Sequence, residues 1–145
     1  MRISDVLRGK SGQVVTVVPD TPVDRLLAVL AEHRIGAAVV SRDGSTVDGI
    51  VSERDVVRAL ADRGAAVLTE PVSVIQTTEV FTIAPEAGLA EVERVMTERR
   101  FRHVPVVVDG ALRGIVSIGD VVKRRIDELE SERSELAGYI TGERG

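Results

Sequence analysis

Two stretches of this chain are nearly the same. "GIVSERDVV" at residues 49–57 and "GIVSIGDVV" at residues 114–122 agree at seven of nine positions. The likeness extends upstream: "VVTVVPDTPVDRLLAVLAEHRIGAAVV" from Val14 aligns with "VFTIAPEAGLAEVERVMTERRFRHVPV" from Val80 at a shift of 66 residues, and one residue is lost between "DGSTVDGIVSERD" and "DGALRGIVSIGD". An internal repeat fixes architecture before any local preference does. A unit of this size buries only about 60% of the surface its unfolded chain exposes, so the two units are expected to share a core. The repeats are assigned to residues 1–66 and 67–127, with a helical extension over 128–145.

Periodicity gives the order of elements inside a repeat. "VVTVV" and "VFTIA" predict short strands, ended by Pro19 and Pro85, which have no N–H to extend a ladder. Val23, Leu26, Leu27 and Leu30 then recur at helical spacing, as do Leu89, Val92 and Met96. "GAAVVS" and "HVPVVV" predict buried strands. Asp43-Gly44 and Asp109-Gly110 supply residues that tolerate positive φ, so each strand turns back as a hairpin, the second more tightly. The next strand stops at Ser52 or Ser117 and a helix begins. Each repeat therefore reads β-α-β-β-α, an α/β (α+β) pattern. "GAAVLTEPVSVIQTTE" joins the repeats as a linker with a short helical piece, and its "VSVI" is matched to "SDVL" at residues 4–7.

Composition removes whole classes of chemistry. The chain has no cysteine, which excludes disulfides, thiolate nucleophiles and cysteine-ligated zinc. His33 and His103 occupy different places in the two repeats without a clustered third ligand, so no metal site is expected. Aromatic residues make up 2% and the net charge is −4, so neither stacking platforms nor excess cations favour nucleic acid. No apolar run reaches the roughly 18 residues of a membrane span, and the start has no signal-peptide pattern; a cytoplasmic protein is expected. No nucleophile–base pair or P-loop points to an enzyme.

The repeated serine and aspartate admit two readings. Ser followed three residues later by an acid at a helix start is a capping box, in which each side chain satisfies a backbone N–H, worth about 1 kcal/mol per cap. On local chemistry alone, capping suffices. The same corner also presents helix N–H groups and a partial positive charge to an anion, with a carboxylate able to accept bonds from ribose hydroxyls.

Two tandem β-α-β-β-α units, each closing with Gly, two apolar residues, Ser, two variable residues and Asp, resemble a pair of CBS domains, the regulatory modules named after cystathionine β-synthase. The resemblance runs from about Ile3 to about Asp127. It implies two repeats packed as a pseudo-two-fold pair that binds an adenosine-containing ligand, AMP, ADP or ATP before S-adenosylmethionine or NAD(H), with no required cofactor. It further implies a regulatory role without catalysis, exerted on a protein partner in trans because no effector domain is seen, and a homodimer. Carried across residue by residue, it gives Asp120 the ribose hydroxyls and Ser117 the ribose-phosphate part, with Arg102 and His103 beside the phosphates and Thr21, Ile35 and Gly36 at the adenine. The second cleft would use Ser52 and Asp55 with Ala87, Phe101 and Arg102.

The two sets are not equal. Gly36 and Ala37 stand in the first repeat where Arg102 and His103 stand in the second. A charged hydrogen bond contributes about 1.5–3 kcal/mol, so the set around Ser117 is expected to be the stronger. The alternative is a structural or protein-interaction dimer whose corners only cap helices. Beyond Asp120, Val122, Ile126, Leu129, Leu136 and Ile140 recur at spacings of four and three, broken by Arg133. This stripe either forms a helical interface or packs back on its own domain.

Overall fold

The computed structural model describes residues 1–10 and 14–141, and the side chains of residues up to 138. In chain order the elements are α1 (Ile3–Arg8), β1 (Thr16–Val17), α2 (Val23–His33), β2 (Ala37–Val40), β3 (Gly49–Ser52) and α3 (Glu53–Arg63). Two 3-10 turns follow (Gly64–Thr69, Val72–Val74), then α4 (Leu89–Arg99), β4 (His103–Val108), β5 (Ala111–Ser117) and α5 (Ile118–Thr141). They group into two compact units. One comprises Met1–Ser11, Pro85–His103 and Val116–Gly145, the other Gly12–Ala84 and Val104–Ile115.

The sheet-bearing unit is built on β1-β2-β3. β1 runs parallel to β2 with Thr16 opposite Val39, and β2 pairs antiparallel with β3, Ala38 facing Val51. All four β2 residues are buried, as a strand covered on both faces requires. The apolar face of α2, carried by Val23, Leu26 and Leu30, closes on Val17, Ala38, Val40, Val51, Val56 and Val72. α2 ends with Arg34 left-handed at φ 54°, and the Ile35 N–H reaches back to the Leu30 carbonyl at 3.0 Å. That six-to-one closure turns the chain so that residues 35 and 36 lead directly into β2.

The other unit packs α1, α4 and α5. Ile3, Val6, Leu89, Val92, Met96, Val116 and Val121 are its buried residues, and Arg125 Nε donates to Glu93 Oε2 at 2.7 Å between α5 and α4. α4 also ends on a left-handed arginine, Arg100.

The units exchange the opening segments of the repeats. The N–H groups of Ile3 and Ser4 donate to the carbonyls of Ala87 and Pro85, while those of Val72 and Ser73 donate to Thr21 and Pro19. Ile3 and Val72 are both fully buried. These paired bonds correct the match of "VSVI" to "SDVL": Val72 corresponds to Ile3, one place earlier. The intervening linker is packed too, with Val67 and Val72 inaccessible to solvent.

A second correction concerns "VFTIA". It forms no strand; only Ile83 bridges to β4, donating to the Pro105 carbonyl at 3.1 Å and accepting from Val107 N–H at 2.9 Å. The next rung of a parallel ladder would need an N–H at position 105, which proline lacks. Val39, its equivalent in the first repeat, keeps that N–H, and β1 forms. The tight second hairpin is present, with Asp109 (φ 51°) and Gly110 (φ 78°) both left-handed between β4 and β5, as a two-residue turn demands. The stripe on α5 does not pack back: Val122, Ile126, Leu129 and Leu136 are between 47% and 63% exposed, because α5 presents Val121 and Arg125 inward instead. Ile140 lies outside the described side chains.

Candidate functional site

Both serine–aspartate corners are capping boxes. At the start of α3, Ser52 N–H donates to Asp55 Oδ2 at 2.8 Å and Asp55 N–H to Ser52 Oγ at 3.3 Å. At the start of α5, the equivalent distances for Ser117 and Asp120 are 2.9 and 3.1 Å. The amide of the residue after each serine is also used: Glu53 N–H donates to the Gly36 carbonyl at 3.0 Å and Ile118 N–H to the Arg102 carbonyl at 2.8 Å. That bond ties residue 36 to one corner and residue 102 to the other. The helix-capping expectation therefore holds at both, and the Arg102 main chain adjoins the residue after Ser117.

The corners part company in what surrounds the aspartate. Lys10 Nζ donates to Asp120 Oδ2 at 2.8 Å, in a partly buried ion pair. Burial opposes ionisation of Asp120, but the Lys10 hydrogen bond, the Ser117 N–H and the Lys10 charge outweigh it and lower its pKa. Sequence reading missed Lys10, which precedes the aligned repeats. Counting from the equivalent anchors Ile3 and Val72, the position of Lys10 is taken by Glu79. The residues inside the box differ as well. Ile118 and Gly119 separate Ser117 from Asp120, where Glu53 and Arg54 separate Ser52 from Asp55. The Ser117 corner thus holds one ion-paired ammonium, Lys10, and has no acid between its two capping residues.

The predicted residues distribute between the units. Ser117, Asp120, Arg102 and His103 belong to the α1/α4/α5 unit, along with Ala87 and Phe101; Thr21, Ile35, Gly36, Ser52 and Asp55 belong to the sheet-bearing one. Arg102 is exposed, and His103, Phe101, Ala87, Ile35, Gly36 and Thr21 are partly buried. Thr21 and Ala87 act through their carbonyls, which accept from Val72 and Ile3 at 2.8 and 2.9 Å. Ile35 and Gly36 line a groove of about 460 Å³ with Leu27, Leu30, Arg34 and Glu53. A groove of about 640 Å³ runs along α5, lined by Ile118, Val122 and Ile126 with Arg102, Lys123 and Asp127. Ser117 and Asp120 do not line it, but Ile118 and Gly119, the two residues between them, do.

The family model for the CBS domain matches residues 3–62 and again residues 72–127. The chain belongs to the CBS-domain family. As a tandem CBS pair it is similar to a crystallised CBS-domain-containing protein of Agrobacterium tumefaciens, 44% identical over 86% of this chain and 99% of that one, with a TM-score of 0.83. A mitochondrial CBS-domain-containing protein of Arabidopsis thaliana is 34% identical over 97% of this chain and 72% of its own length. A CBS-domain protein of Pyrobaculum aerophilum, crystallised as a complex with AMP, is 29% identical over 83% of this chain and 89% of that one, with a TM-score of 0.73. No helix among the described residues is long and apolar enough to cross a membrane.

Proposed function

We propose that this CBS pair is a regulatory module that binds an adenine nucleotide, AMP foremost, at the Ser117–Asp120 corner. The observation that carries the reading is the ion pair of Lys10 with Asp120 at the corner whose Ile118 amide is held by the Arg102 carbonyl. An ionised carboxylate suits the two hydroxyls of a ribose, and the Lys10 ammonium, with Arg102 proposed as a second cation, suits the phosphate attached to it. The AMP complex of the Pyrobaculum relative supports the choice of ligand. ADP, ATP, S-adenosylmethionine and NAD(H) are the competing ligands. Thr21, Ile35 and Gly36 are proposed for the adenine, and His103 for the phosphate. Ser52 and Asp55, with Ala87 and Phe101, form the weaker candidate set, since no cation equivalent to Arg102 stands at Gly36.

The module would act on a protein partner in trans, without catalysis of its own. Such action requires the nucleotide to bind two states of the protein with different affinity. A cytoplasmic location belongs to the same reading, and cell fractionation against the precedent of the mitochondrial relative decides it. The competing reading, a purely structural or interaction role, is favoured by one fact: both boxes are complete without any ligand. Thermal shift with the five ligands separates the two. A nucleotide present at 100 times its dissociation constant stabilises its protein by about 2.7 kcal/mol. Melting curves unmoved by all five ligands leave only the capping role.

A further inference from the structure

The groove at the end of α2 carries two opposite charges that the fold leaves unused. Leu27, Leu30 and Ile35 give it an apolar wall, Arg34 and Glu53 line it as exposed residues, and its volume is about 460 Å³. Small-molecule sites of about 300–1,000 Å³ combine such an apolar lining with a few placed polar groups. All of these residues lie in the sheet-bearing unit. Other charged pairs of that unit are closed: Arg63 Nη2 stands 2.7 Å from Glu70 Oε2, and Arg42 Nη1 3.5 Å from Asp48 Oδ1. Arg34 and Glu53 form no ion pair or side-chain hydrogen bond with a described residue.

Main-chain bonds fix both charges at this groove. Arg34 ends α2 in the left-handed region at φ 54°, a conformation glycine takes more readily, and the Ile35 N–H returns to the Leu30 carbonyl at 3.0 Å. Glu53 opens α3, and its N–H donates to the Gly36 carbonyl at 3.0 Å. Base and acid are therefore joined through residues 35 and 36, and Gly36 puts no side chain between them. The second repeat lacks the arrangement. Arg100 matches Arg34, but Arg102 stands in place of Gly36 and Ile118 in place of Glu53.

We infer that this groove binds a free apolar α-amino acid, its carboxylate on Arg34, its ammonium on Glu53 and its side chain against Leu27, Leu30 and Ile35. A guanidinium takes a carboxylate through two parallel N–H donors, and a carboxylate accepts from an ammonium in the same charge-assisted way. Only a zwitterion answers both charges. A simple anion or a phosphate would meet the repulsion of Glu53, and a simple cation that of Arg34. Ile35 and Gly36 are shared with the proposed adenine contacts, but Arg34, Glu53, Leu27 and Leu30 are not, and the inference does not rest on nucleotide binding.

The test is a titration of the isotope-labelled full chain, without nucleotide, with L-leucine and L-phenylalanine up to ~10 mM, read by amide chemical shifts. Saturable shifts centred on the end of α2 and the start of α3 are expected. N-acetyl-leucine, which lacks the ammonium, and leucinamide, which lacks the carboxylate, should each bind about tenfold more weakly or worse. Arg34→Asn keeps a residue that tolerates the left-handed backbone and should weaken the amino acid by about tenfold. Glu53→Gln leaves the Ser52–Asp55 box to start α3 and should do the same, while narrowing the gap between leucine and N-acetyl-leucine. No saturable shift with either amino acid overturns the inference. So do analogues that bind as well as leucine, or a folded Arg34→Asn or Glu53→Gln chain with undiminished affinity. A chain that binds leucine but not AMP removes the nucleotide reading and leaves this one standing.

Discussion

The two capped corners share their hydrogen bonds and differ in their neighbours. Each has a serine and an aspartate in the same reciprocal box, and each has its next amide held by a carbonyl at the entry to the preceding hairpin. Glu53 and Arg54 lie inside the first box and Gly36 holds its next amide; Ile118 and Gly119 lie inside the second, Arg102 holds its next amide, and the Lys10 ammonium pairs with Asp120. Capping thus accounts for what the corners have in common, and the proposed ligand bears only on the difference. A repeated fold conserves its caps because each helix start must satisfy its amides, whereas charge around a cap is free to diverge.

That comparison can be broken most directly at the aspartates. Asp120→Ala should abolish AMP binding or weaken it by about a hundredfold, the loss of two charged hydrogen bonds, while Asp55→Ala should change it by less than about threefold. Calorimetric titration with AMP reads both, and equal losses would sink the inequality of the corners. Arg102→Ala should cost about ten- to a hundredfold in the same titration, with adenosine, which carries no phosphate, far less affected.

Smaller effects sharpen the comparison. Lys10→Met should weaken AMP by about tenfold, because the phosphate loses a cation and the carboxylate keeps its charge; a tighter complex would mean that Lys10 competes with the ribose. In denaturant melts, Ser52→Ala and Ser117→Ala should each cost about 1 kcal/mol and no more, since the boxes are equivalent. Asp120 supplies a pH test. Its pKa is lower folded than unfolded, so its contribution is present above the ordinary aspartate value of about 3.9 and is lost as pH falls through the folded value. Asp120→Asn should therefore lose less stability than the wild type between pH 5 and pH 3, measured by thermal melts across that range.

Much of this was legible without coordinates, and the reasons are local. The hydrophobic spacing of Val23, Leu26 and Leu30 and of Leu89, Val92 and Met96 located two helices, because one buried face at a 3.6-residue period leaves a readable pattern. Asp109-Gly110 located a turn because few other pairs accept two positive φ values. "VFTIA" misled for an equally local reason seen only in context: its residues suit a strand, but its ladder depended on an N–H that Pro105, more than 20 residues away in sequence, does not have. Lys10 left no signal at all. A lysine near the start of the first repeat, before the stretch that aligns with the second, acquires meaning only when the fold carries it to Asp120.

What the sequence determined alone was the repeated unit, its elements and its caps, for these rest on periodicity, turn chemistry and hydrogen bonds between residues three or four apart. Only tertiary structure decided which segments belong together: that the opening turn of each repeat closes on the strand-to-helix turn of the other, that a distant ammonium neutralises one of two identical carboxylates, and that the stripe on α5 faces water. Those outcomes depend on contacts between residues far apart in the chain, and a pattern of local preferences carries no record of them.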